Sequence, residues 1–178
     1  IVQQVFGNPG QLQRQANPQL VDVADSVTLA ENDINVVPAV IDPGVGLVDS
    51  DSANFDGGQL EVNYLTGYGG LDPQGQYGLR AQDQLGIRHV GNGPDQIGVA
   101  GSTVSHGGVA IGTIVSNGAN GAKLLVLFNA NATPQAVERL VESLTYANTV
   151  SNPIGSRTVS IRVTDGDGGA SEARSVQI

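Results

Sequence analysis

Between residues 59 and 65 apolar and polar side chains alternate: Leu60, Val62 and Tyr64 on one face, Gln59, Glu61 and Asn63 on the other. That period of two predicts a half-buried strand. Further strand-like stretches are Leu85 to Val90, Val99 to Val104, Val109 to Val115, Lys123 to Phe128, Leu144 to Ala147, Thr158 to Thr164, where Val159, Ile161 and Val163 share one face, and Ala173 to Ile178. Shorter apolar runs occupy Leu20 to Leu29, and Pro38 within Val36 to Ile41 predicts an edge strand. Asn117-Gly118 and Asn120-Gly121 supply the turn chemistry between strands. One segment departs from this rhythm. Thr133 followed by Pro134 has the form of an N-cap and first helical residue, and Val137, Leu140, Val141 and Leu144 fall at i, i+3, i+4 and i+7. A short helix over about 134–143 is therefore expected within an all-β chain built as a β-sandwich.

Residues 1–19 do not share the pattern. They are rich in Gln, carry Asn8-Pro9 and Asn17-Pro18, and place Ile1, Val2, Val5 and Phe6 at their head. Helix is disfavoured before each Pro, so an extended arm is predicted, with residues 20–178 as the domain. The arm is either an inter-domain linker or a strand that docks on a neighbour.

Composition narrows the function. At 178 residues the chain is long enough for a substantial core, and Gly 25 with Pro 8 stays below the level of disordered sequences. A net charge of -9 with Lys123 as the single lysine argues against nucleic acid and anionic membrane as partners. The chain has no Cys, which excludes disulfides, thiolate metal sites and Cys nucleophiles. No apolar run approaches the roughly 18 residues of a membrane span. The chain starts at Ile1, holds no Met and shows no signal-peptide pattern, as expected of a processed chain or a segment of a longer one.

Charge is concentrated in two loops. The first runs Asp49-Ser50-Asp51-Ser52-Ala53-Asn54-Phe55-Asp56-Gly57-Gly58, the second Asp165-Gly166-Asp167-Gly168-Gly169. Closely spaced carboxylates in Gly-rich backbone repel one another, and Ca²⁺ suits such loops because it accepts six to eight oxygens in loose geometry. Neither loop has EF-hand spacing. The alternative is ordinary turn-forming Asp, with the second loop closing a hairpin. Asp83, and less so Asp72, are further candidates should they approach the first loop. His89 and His106 form either a metal pair or two unrelated surface residues, and Asn131-Ala132-Thr133 is either a glycosylation sequon or an accidental match. Ser102, Ser105 and His106 lack a nucleophile elbow, and no phosphate loop is present, so no enzyme is expected. An enzyme would need a carboxylate pair such as Asp72 and Asp83. A polysaccharide-binding module is the other class, with Tyr68 and Tyr77 as its aromatic candidates.

Taken in order, Val48 to Leu60, Asp83 to Ile87, Ile111 to Ile114, Phe128 to Pro134, Leu144 to Thr149 and Arg157 to Gly169 resemble the cadherin-like repeat of giant bacterial surface proteins and adhesins, related to repeats of chondroitin sulfate proteoglycans. The match covers about Leu20 to Ile178. The resemblance implies an all-β, immunoglobulin- or cadherin-like β-sandwich that is secreted and binds calcium at the cell surface, with roles in adhesion, biofilm matrix or fibre assembly. By position it implies Asp49, Asp51, Asp56, Asp165 and Asp167 as calcium ligands. Partners are expected to be copies of the chain or tandem neighbours, or surface polysaccharide. The unmatched arm departs from the interior-repeat pattern and points to a stand-alone subunit.

Overall fold

A computed structural model describes residues 16–65, 81–150 and 156–178. Most of the first 19 residues, together with Tyr68, Asp72 and Tyr77, lie outside these. The chain is mostly β-sheet. In order it forms β1 (Gln19–Val21), α1 (Glu31–Ile34), β2 (Ala39–Val40), β3 (Gly46–Val48), β4 (Gln59–Tyr64), β5 (Asp83–Ile87), β6 (Ile97–Ala100), β7 (Thr103–His106), β8 (Val109–Asn117), β9 (Leu124–Phe128), α2 (Pro134–Glu142), β10 (Leu144–Asn148), β11 (Thr158–Thr164) and β12 (Arg174–Gln177). Among the described residues the strands make a seven-stranded antiparallel sheet, β12-β11-β4-β9-β8-β7-β6, a three-stranded sheet, β2-β10-β5, and the pair β1-β3.

The alternation of the sequence becomes the inner face of the large sheet. Leu60 and Val62, Leu124 and Val126, and Val159, Ile161 and Val163 are all buried, and they share one core with Leu85, Leu144 and Tyr146 of the small sheet. The predicted helix forms as α2. The Thr133 side chain accepts the Ala136 N–H at 3.2 Å, Pro134 takes the first turn, and Val137, Leu140 and Val141 are buried. Two expectations change. Val99 to Val104 is not one strand: Gly101, at φ 59, and Ser102 form a turn between β6 and β7. A second, one-turn helix, α1, stands where no periodicity announced it. β2, just after Pro38, is an edge strand as the proline required.

Strand registers define two poles. Gln59 pairs with Thr164 and Leu127, so the loops before β4 and after β11 meet at one end. At the other end Asn117 pairs with Leu124, and Leu124 with Val62. Asp83 pairs with Asn148 in the small sheet. The Leu85 N–H donates to the Gly118 carbonyl at 2.9 Å, which sets that end of β5 beside the end of β8. No helix among the described residues is long and apolar enough to cross a membrane.

Candidate functional site

Phe55 fixes the first acidic loop. Its ring is fully buried and meets Phe128 with centroids 6.2 Å apart, and its N–H donates to the Ala132 carbonyl at 2.8 Å. A large aromatic driven into the core thus holds the flanking polar residues at the surface. The second loop closes the β11–β12 hairpin, with Asp165 N–H donating to the Gly169 carbonyl at 3.3 Å. The loop does form the turn expected of its Asp-Gly steps. Gly166, at φ 90, lies so close to the Asp56 carbonyl that a Cβ would collide with it. Glycine there lets the two acidic loops touch.

The carboxylates are held by backbone. Asp49 Oδ1 accepts N–H groups from Asp51 and Ser52, both at 3.1 Å. Asp165 Oδ1 accepts Gly169 N–H at 2.8 Å and Asp167 N–H at 3.2 Å. In each case the second oxygen is left over: Asp49 Oδ2 and Asp165 Oδ2 are buried without a hydrogen-bond partner, and so is Ser52 Oγ. Asp165 is only 1% exposed. A buried acceptor without a partner is costly, and more so when charged.

Asp165 Oδ2 and the Ala16 carbonyl border the same small space, where a Cβ on Gly169 would stand. Asp51 Oδ2 accepts the Ala16 N–H at 2.8 Å, and Asn17 Oδ1 accepts the Ala170 N–H at 3.4 Å. The root of the arm is therefore stitched to both acidic loops. The Asp167 carboxyl is raised above the usual carboxylate range, first by the Asp165 carboxyl beside it, then by desolvation and the negative charge of Asp51.

Of the five predicted ligands, Asp51, Asp165 and Asp167 thus lie within electrostatic reach of one another. Asp49 anchors its own loop, and Asp56 is exposed, with its backbone against Gly166. Among the described residues no three His, Asp or Glu side chains close around one point as a ready-made metal cage. The donor chemistry nevertheless suits a hard cation: two buried carboxylate oxygens, a buried hydroxyl and a backbone carbonyl at one pole. Ser52 and Ala16 were missed by the sequence, because a serine hydroxyl and a backbone carbonyl carry no compositional signal.

The other candidates are otherwise engaged. Asp83 does not join the acidic pole. It lies at the opposite one, with Oδ2 accepting Arg157 Nε at 2.6 Å and Oδ1 accepting Tyr146 Oη at 2.9 Å and Asn148 Nδ2 at 2.8 Å. His89 Nδ1 accepts the Val99 N–H at 2.9 Å, while His106 Nε2 meets Asp95 at 3.0 Å. Thr133 and Asn131 serve the start of α2 and the β8 border, with Asn131 Nδ2 donating to the Ala110 carbonyl at 3.1 Å. No family model, curated protein or solved structure matches the chain.

Proposed function

We propose that the chain is an extracellular structural module of cadherin-like β-sandwich type, stiffened by Ca²⁺ at its acidic pole, that builds a bacterial surface fibre, adhesin stalk or biofilm matrix by assembling through its N-terminal arm. The observation that carries the reading is the buried, unpartnered Asp165 Oδ2 beside the Ala16 carbonyl. Asp165 and Asp49, with Ser52 and the Ala16 carbonyl, would hold the cation, and Asp51 and Asp167 would add charge. The ion supplies positive charge that removes carboxylate repulsion. The protein's part is to hold the oxygens on rigid strand ends and to bring the arm root among them.

Thermal unfolding tests this. A ligand that binds only the folded chain stabilises it by RT ln(1 + [L]/Kd), about 2.7 kcal/mol at a hundredfold excess over Kd. For a domain of this size that corresponds to a rise of about 5–10 °C in Tm. EDTA should lower Tm and Ca²⁺ restore it, while Asp165→Asn should abolish the response. An unchanged Tm in all three conditions would refute the cation reading. The arm is tested by deleting residues 1–12, which should leave a folded monomer that does not polymerise.

A further inference from the structure

β8 is longer than its neighbour. β7 pairs with it only as far as Thr113, and there the Ile114 N–H donates to the Ser102 carbonyl at 2.7 Å. Beyond that point, on the β7 side, no strand among the described residues accompanies Val115, Ser116 and Asn117. A bulge between Ile114 and Ser116 interrupts the pairing with β9 and leaves Val115 53% exposed. Bulges re-aim side chains and are frequent where pairing ends. An open furrow of about 580 Å³ follows this edge, lined by Gly101, Ser102, Ile114, Val115, Ser116 and Asn117. An uncovered edge is a template for another strand.

We propose that this edge of β8 receives residues 1–6 of the next copy of the chain. The proposal rests on the reading that the chain assembles through its arm, and it names the acceptor. Three observations select the occupant. The segment Ile1-Val2-Gln3-Gln4-Val5-Phe6 is apolar at both ends and no acidic or basic side chain precedes Arg14, so its approach adds no repulsion to a net charge of -9. Ala16 is bonded to Asp51 at the acidic pole, whereas the furrow lies towards the opposite pole. Fifteen residues before Ala16 span at most about 50 Å when extended, enough to cross to a neighbour. Donor and acceptor at opposite ends make a head-to-tail contact, which grows into a filament rather than closing as a dimer.

The chain contains no Cys, so introduced pairs report without interference. The full chain carrying Val2→Cys or Val5→Cys with Val115→Cys is assembled in Ca²⁺, oxidised and run on a non-reducing gel. A ladder of linked multimers is expected, at least about tenfold stronger than from Val2→Cys with Val36→Cys, a pair that puts the second thiol on a still more exposed surface. In a separate variant, Val115→Asp should raise the concentration needed for assembly by about tenfold or more, with an unchanged circular dichroism spectrum. Linked monomers alone would mean that the arm folds back on its own furrow. Linkage through Val115→Cys on both chains would mean that β8 pairs with β8. Either result, or equal ladders, overturns the proposal. Assembly that requires residues 1–12 but is unaffected by Val115→Asp sinks the acceptor alone. Assembly without residues 1–12, or none by the unaltered chain, sinks the arm reading with it.

Discussion

Arg157 and Asp83 stand 74 residues apart in sequence and form an ion pair in which both side chains are nearly fully buried. Removing one partner of such a pair leaves a charge stranded in low dielectric, so Arg157→Leu should cost about 3–5 kcal/mol in urea unfolding. The double variant with Asp83→Leu should recover much of that loss. The same network governs behaviour in alkali. Burial pushes the Tyr146 phenol up to about 12 from 10.0, with the charge of Asp83 adding to the rise. Tyr64 is raised in the same direction and for the same leading cause. A group whose folded pKa is raised contributes its stability in full below the unfolded value and loses it as pH climbs through the folded one. For Tyr146 that window runs from pH 10 to about 12. Titration of tyrosinate absorbance should show Tyr64 and Tyr146 lagging, and alkaline unfolding should accompany their ionisation. Four normal phenols would contradict the buried placement.

At the level of elements, α2 is held at both ends by side chains. Thr133→Ala removes the N-cap and should cost about 1 kcal/mol in thermal unfolding. On its outer face, Asp95 accepts Arg139 Nε at 2.9 Å and Gln135 Nε2 at 3.2 Å, and it also meets His106 of β7. The Asp95 carboxyl is held below the usual 3.8, chiefly by its hydrogen bond to His106 and then, against some desolvation, by the Arg139 charge. Its contribution is present above pH 3.8 and is lost as pH falls through the lower folded value. Asp95→Asn should flatten the acid limb of the stability profile, measured by circular dichroism.

Legibility in the sequence also divides by element. β4 and β11 were readable because apolar and polar residues alternate along them, and β9 because its run is apolar throughout. α2 was readable because its cap, proline and apolar stripe agree. The β6–β7 hairpin was read as one strand because Gly101-Ser102 interrupts it without an Asn-Gly or Asp-Gly signal. The acidic loops stood out by composition, but contact between them depends on Gly166, which looks like any other loop glycine. Asp83 was read with the acidic residues because nothing local announces a distant Arg157.

Across the whole molecule, the strand registers set the arm root and the open edge of β8 at opposite ends. In an assembly joined this way, tension enters at Ala16 and leaves near Asn117, along the strands of the seven-stranded sheet. Pulling in that direction loads the ladder bonds of neighbouring strands together, in shear, whereas a pull across the strands would part them one after another. A single-molecule force measurement should therefore find a high rupture force between these two attachment points. It should find a much lower force when the handles are placed on the edge strands β6 and β12.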